Sequence, residues 1–428
     1  MIGNSNPFKI FYGWWIVIAS FLVALYTGGV IYYGFTAFFE PIAKEMGWSY
    51  TQISLAASLR GLEVGLLAPL VGILADRWGP RKILFGGILI TAAGLFLLSS
   101  ASSLFTFYVA FALLAIGLSA CSVAVLLTAL ANWFHRKIGL ATGIASGGYG
   151  FSGILIPVVV GLIAVYDWRT ALNIFALGMI VMILPLSLLF RHRPEQYGYS
   201  LDGQEQGTAV YPNYSGPLPA AEVEVKAKQA LKSGIFWRLT LSRMYHLMTI
   251  AAITTHVMPY LSSIGISRST SSLVATGIPL MSIMGRFGFG WLGDKFNRRL
   301  MAATNFLLIG LGTLCFAYVS NKGILLLIVF LFLLGIGYGG SNSLLPALGR
   351  EYFGRTNFGS IYGLMEGIGA IGSLIGPALA GWAYDNLGSY HIIWLLLAGF
   401  AVVPMYVVFT IARVENLIEP NRQTQSGR

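Results

Sequence analysis

Twelve stretches of about twenty apolar residues recur along this chain, and the short segments between them carry most of its charge. Each is long enough to cross a hydrocarbon layer of roughly 30 Å as an α-helix. In lipid every backbone polar group must be satisfied within the chain, so only helices or a closed barrel can span it. The stretches lie near 13–38, 52–75, 82–100, 104–131, 139–166 and 168–190, then near 236–263, 270–293, 300–319, 323–349, 358–384 and 389–412. No ten-residue pattern of alternating polarity appears, which excludes a barrel. Of 428 residues only 10% are charged, against about 25% in soluble domains. The 52 glycines are spread among the apolar runs with no collagen-like period, as membrane helices allow. Cys121 and Cys315 both lie inside apolar runs, so neither a disulfide framework nor a zinc site is expected. The first stretch has no small-residue cleavage site after it and is read as retained.

A net charge of +11 would suggest nucleic acid as partner of a soluble chain. Here the distribution of charge gives a different reading, and no nucleic-acid partner is expected. With both termini in the cytoplasm, twenty of the 27 lysines and arginines fall on the cytoplasmic side. Only Lys44, Arg169, Arg268 and Lys322 fall opposite, while Arg60, Arg243 and Arg286 lie inside spans. That asymmetry follows the positive-inside rule and fixes the orientation. The segment 191–235, with Pro194, Pro212, Pro217 and Pro219, reads as a cytoplasmic linker. The expected architecture is an all-α membrane protein: a six-helix bundle over 1–190, the linker 191–235, and a second six-helix bundle over 236–428.

The halves repeat one another. Gly72-Ile-Leu-Ala-Asp76-Arg77-Trp-Gly79-Pro-Arg81-Lys82 follows the second stretch, and Gly290-Trp-Leu-Gly-Asp294-Lys295-Phe-Asn297-Arg298-Arg299 follows the eighth. Likewise Trp133-Phe134-His135-Arg136, with Gly139 and Gly143, echoes Tyr352-Phe353-Gly354-Arg355, with Gly359 and Gly363. Duplication of a six-span unit is a transporter signature, with the substrate site near mid-membrane between the halves.

On these residues the chain resembles the major facilitator superfamily. Its most specific loop signature, Gly-x-x-x-Asp-Arg-x-Gly-x-Arg-Lys, is nearly complete at Gly72–Lys82. Tyr12-Gly13-Trp14-Trp15 is similar to the opening motif of monocarboxylate transporters, though without its usual acidic residue. The run from Trp133 to Gly147 is similar to their second signature. Arg193-Pro194-Glu195 with Asp202-Gly203, and His256-Val-Met-Pro259-Tyr260-Leu, resemble related bacterial transporters, including oxalate/formate antiporters. The resemblance implies a monomeric secondary carrier in the cell membrane, without cofactor or metal. Asp76, Arg77, Arg81 and Asp294 would then form a conformational latch, a carboxylate pairing with cations and a helix N-terminus. The plainer alternative is that the basic residues only anchor the topology.

Arg60, Glu63, Arg286 and Glu366 stand inside apolar stretches, where an ionisable group costs roughly 2.5–3.5 kcal/mol and so needs a partner or a wet cavity. Arg286 lies eight residues before Asp294, roughly 12 Å into the span at 1.5 Å per residue. A guanidinium is planar, permanently charged and matches a carboxylate through two parallel hydrogen bonds. In the transporters resembled, an arginine at this place binds the substrate carboxylate; the alternative is an ion pair of Arg286 with Glu366. Tyr338 and Asn342 are one turn apart and suited either to donate to the same carboxylate or to join helices. Glu366 and Glu63 can carry a proton, and competition with substrate for one arginine would couple the two. Arg60 and Glu63, three apart, form either a neutralising pair or part of that relay. His256 is the better candidate for proton transfer, whereas His246 is expected to hydrogen-bond a neighbouring helix.

Oxalate/formate antiporters carry a second cation in the eleventh span, and aligning Tyr362-Gly363 with their pattern places Gly369 there. A monocarboxylate moved with a proton fits one available arginine better than oxalate exchange. No nucleotide-binding loop, His-Glu-x-x-His or cluster of metal ligands appears, so an enzyme is not expected. The competing function is a proton-driven exporter of hydrophobic or other small organic compounds.

Overall fold

A computed structural model describes residues 11–59, 61, 67–134, 137–191, 194–197, 227–320, 324–354 and 358–411. Its regular elements are all helical. Ten helices are long and apolar enough to cross a membrane, from Gly13–Met46 to His391–Phe409. Two of the expected spans are not among the ten. The second is described as two pieces, Tyr50–Ser58 and Ala68–Trp78, on either side of residues outside the description. The seventh is a 30-residue helix, Gly234–Ser263. It lacks the apolar window because Arg243, His246, Thr249, Thr254, Thr255 and His256 are threaded through it, all of them buried. Polar residues tolerated at that depth face protein or water rather than lipid.

The chain itself supplies the helix ends. Ser49, Ser103, Asp167, Ser267 and Asn297 each accept from a backbone N–H of the first turn, satisfying donors that lack an intrahelical partner. Between Ala68–Trp78 and Pro80–Ser99 a single residue makes the turn: Gly79, at φ 83°, a conformation that glycine adopts without a steric penalty. The repeat places Asn297 at the equivalent position, and there the turn differs. Asn297 keeps φ −60° and caps the helix Arg298–Ala317, so two similar loops solve the same reversal by different backbone chemistry.

The chain divides into two compact units. The first comprises Met1–Gly34, Leu67–Leu155 and Leu162–Gly216. Its core gathers Ile16, Val23, Leu84, Ile88, Leu126 and Trp133. At one end Phe11, Tyr12 and Trp14 pack their rings on Trp133 and Phe134. The Tyr12 hydroxyl donates to Leu189 O at 3.0 Å, and Trp133 Nε1 donates to Arg191 O at 3.0 Å. The two aromatic motifs that carry the family resemblance in this half are thus neighbours in space. The second unit comprises Phe35–Leu66, Ile156–Gly161 and Pro217–Arg428, and it holds the polar cluster described next.

Candidate functional site

Within the second unit, the helices Gly234–Ser263 and Phe358–Leu387 cross on glycine. A Cβ on Gly372 would run into the carbonyl oxygen of Met244, and one on Gly376 into that of Met248. One turn earlier, the stem of Arg243 lies against Gly369, 3.0 Å from where a Cβ would stand. Small residues allow such close approach of membrane helices, and here the crossing brings Arg243 onto Glu366.

Two contacts join the pair: Nη2 donates to Oε2 at 3.0 Å, and Nε stands 2.9 Å from Oε1 as an ion-pair contact outside hydrogen-bond geometry. The third side of the guanidinium is also used, since Nη1 donates to Asn342 Oδ1 at 2.9 Å. Asn342 Nδ2 in turn donates to the carbonyl of Tyr338 at 3.1 Å. Tyr362 hydrogen-bonds the same carboxylate from one turn before it. The Arg243 and Glu366 side chains are 9% and 15% exposed, so the pair is largely withdrawn from solvent. A buried pair gains little net stability from its attraction, but losing one partner leaves a charge uncompensated.

Arg286 sits differently. On its helix, Arg268–Lys295, the residues Met284, Phe287 and Trp291 are more than half exposed and recur at helical spacing. They form an exposed apolar stripe. Arg286 is one residue from Phe287, hence about 100° around the helix, on the flank that carries Ser272, Pro279 and Gly290. Its backbone is fixed by the tenth span (Ile324–Phe353), where the Ser343 hydroxyl donates to Arg286 O at 2.9 Å. Its buried Nε has no hydrogen-bond partner among the described residues.

His246 completes the cluster. It is fully buried, and its ring stacks on Tyr338 with centroids 5.7 Å apart. It lies within electrostatic reach of both Arg243 and Arg286. Neither ring nitrogen has a hydrogen-bond partner among the described residues. The bond to a neighbouring helix expected of it is therefore absent there, and an imidazole with both nitrogens open can donate and accept.

The sequence alone gives Arg243 no role and offers Arg286 as the alternative partner of Glu366. The structure corrects the pairing: Glu366 is held by Arg243. Tyr338, Asn342 and Glu366 are brought together, with Arg243 at their centre. Arg60 and Glu63 lie outside the described residues, as does the side chain of Asp76. Arg77 and Arg81 are exposed. Asp294 pairs with Arg298 at 3.2 Å, and Arg298 continues to Glu351 at 3.2 Å. This links the loop after the eighth span to the end of the tenth.

His256 lies thirteen residues further along its helix than Arg243, roughly 20 Å away. Its Nε2 contacts Pro377 O at 3.0 Å and Ser54 Oγ at 2.9 Å, while Nδ1 contacts the Tyr390 hydroxyl at 3.0 Å. A carbonyl only accepts, so this geometry places the hydrogen on Nε2 and lets Nδ1 accept from Tyr390. His256 is thereby a cross-brace between three segments of the second unit.

Compared with known proteins, the chain matches the Major Facilitator Superfamily profile over residues 16–264 and 247–427. It belongs to that superfamily. It is accordingly a multi-pass membrane transporter and not an enzyme. Monocarboxylate transporter 12 of Rattus norvegicus is 28% identical over 433 residues, covering 96% of this chain and 88% of the relative. The oxalate:formate antiporter of Oxalobacter formigenes is 22% identical over 404 residues, covering 93% and 90%. Among solved structures, a point mutant of the nucleoside transporter NupG superposes with a TM-score of 0.74 at 14% identity, covering 94% of this chain and all of NupG. That likeness is one of fold alone.

Proposed function

We infer that this superfamily member carries a small organic anion, a monocarboxylate first of all, together with a proton, by rocking-type alternating access with both termini in the cytoplasm. One observation carries the reading: Arg286 stands off the exposed apolar stripe with a buried Nε that nothing among the described residues satisfies and with no acidic partner among them. An unsatisfied buried donor on a charged group is costly. A substrate carboxylate supplies the missing acceptor and the missing charge, through two parallel bonds. The relatives named as monocarboxylate transporters support the same class of substrate.

In this reading His246 offers a donor and an acceptor beside the anion, and Tyr338 shapes the wall behind it. Asn342, both of whose amide atoms are engaged, positions Arg243 rather than touching substrate. Glu366 is the proton carrier closest to the cations, with Glu63 as a second carboxylate, Arg60 as its ion-pair partner, and His256, braced roughly 20 Å away, as a more distant proton site. Asp76, Arg77, Arg81 and Asp294 hold the cytoplasmic loops between turnovers.

The test is uptake of lactate, pyruvate or acetate into proteoliposomes under an inward proton gradient. Replacing a buried charge that contacts ligand costs about 2 kcal/mol or more, so Arg286→Gln should lower uptake at least about thirtyfold, and Arg286→Lys should restore only part of it. Undiminished uptake in Arg286→Gln would overturn the reading. Dye efflux lost on disruption, with no acid-driven proton movement, would favour the exporter.

A further inference from the structure

The second unit holds two arginines near one imidazole, and among the described residues only one of them has an acidic partner. Arg243 is neutralised by Glu366 through one hydrogen bond and one ion-pair contact, and by no other acid among the described residues. The cluster of Arg286, Arg243 and Glu366 thus carries one net positive charge, suited to one carboxylate. Protonating Glu366 removes its charge and one of its two acceptor sites for a guanidinium. Arg243 then keeps only Asn342 Oδ1 as a full partner, and the cluster presents two positive charges. The pair is 9% and 15% exposed, so it borders accessible space rather than being sealed. Gly369 is what leaves room for the arginine stem beside the acid.

Resting on the anion-carrier reading above, we propose that Arg243 is a proton-gated second anion subsite: with a proton on Glu366 the site takes a short dicarboxylate, one carboxylate on each arginine. The groups that face Glu366 set this switch. They are Arg243 and His246 on Gly234–Ser263, Tyr338 and Asn342 on Ile324–Phe353, Tyr362 on its own helix, and Arg286 beyond His246. Helix Tyr50–Ser58 brings only Tyr50, which lies at the Asp385 end; Lys228 of Ala227–Ala230 is exposed at the linker. Arg60 and Glu63 are outside the described residues.

Binding of malonate, succinate and lactate to the purified full chain at pH 7.5 tests the proposal without changing the charge of the acids. Glu366→Gln should raise the dicarboxylate-to-lactate affinity ratio about tenfold for at least one of the two lengths, as expected for one added charge contact. Arg243→Gln/Glu366→Gln should return the ratio to that of the starting protein. In the unaltered protein, calorimetry in two buffers of different ionisation enthalpy should show dicarboxylate binding taking up about one proton. That measurement stands even where a variant fails to fold. A ratio unmoved by Glu366→Gln, or dicarboxylate binding without proton uptake, overturns the subsite. If lactate binding is still lost in Arg286→Gln, the carrier reading survives that failure; if no acid binds at all, both fall.

Discussion

Arg243 and Arg286 are the same side chain in the same unit, and what their nitrogen atoms touch makes them opposites. Arg243 has an acid beside it and hydrogen bonds from Nη1 to Asn342 and from Nη2 to Glu366, whereas Arg286 has a buried Nε without an acceptor and no acidic partner among the described residues. A stability measurement should separate them. Arg243→Gln strands the Glu366 carboxylate and should destabilise the protein by about 3 kcal/mol, the scale of a broken buried pair. Arg243→Gln/Glu366→Gln should recover most of that loss. Arg286→Gln removes an unsatisfied group, so its melting temperature in detergent should stay level or rise, as at sites where function is held against stability. A fall in Arg286→Gln as large as in Arg243→Gln would give Arg286 a structural duty instead. At this scale the sequence is partly legible. Charge inside an apolar stretch marks Arg286 and Glu366, and the same signal is present at Arg243. What spacing along one span cannot show is which guanidinium meets Glu366, because the partners lie on different helices.

That choice is made by the elements. Gly372 and Gly376 set the separation of Gly234–Ser263 and Phe358–Leu387, since each faces a carbonyl oxygen of the opposite helix. Gly372→Ala must push the helices apart, an overpacking that costs about 1–3 kcal/mol, and it should loosen the Arg243–Glu366 bonds as well. Gly359→Ala on the same helix meets nothing within 4 Å and serves as the control. A melting temperature lowered in Gly372→Ala and unchanged in Gly359→Ala, with uptake reduced only in the former, is the expected outcome; equal shifts would mean the crossing is not glycine-limited. Helix lengths are readable from the apolar runs because lipid leaves the backbone no other option. The polar lining of the seventh span is less readable. A helix that buries arginine, histidine and threonine against protein loses the uniform hydropathy by which spans are recognised. The loop repeat also conceals a difference, because Gly79 and Asn297 reach similar reversals through opposite signs of φ.

For the whole molecule, the duplication is visible in the sequence, but the company kept by residues 35–58 is not. They pack in the second unit through contacts more than two hundred residues apart in the chain. Asp385 accepts from the N–H groups of Tyr50 and Thr51 at 3.0 and 2.7 Å, capping that helix from a distant segment. Arg268 donates to Ala37 O at 2.6 Å, Thr36 accepts from Met258 N at 3.1 Å, and His256 ties Ser54 to Pro377 and Tyr390. Lys44 and Arg268 fall opposite the cytoplasm in the positive-inside assignment, and under the proposed orientation this cluster would lie at the outer end. Under the proposed rocking cycle, opening of the outer end would break these bonds, and their strength would set how seldom it opens. A carboxylate on a helix N-terminus contributes up to about 1 kcal/mol when exposed, as Asp385 is. Asp385→Asn should therefore shift the balance toward the opened end about fivefold. The readout is Ile53→Cys, at a fully buried position, challenged with a membrane-impermeant maleimide from outside. Its labelling should speed up by that factor in Asp385→Asn, and saturating lactate should change the rate in both backgrounds because substrate redistributes the same two states. Labelling that is indifferent to Asp385 would assign the outer closure to the Arg268 and His256 contacts instead, leaving the helix cap with a purely local role.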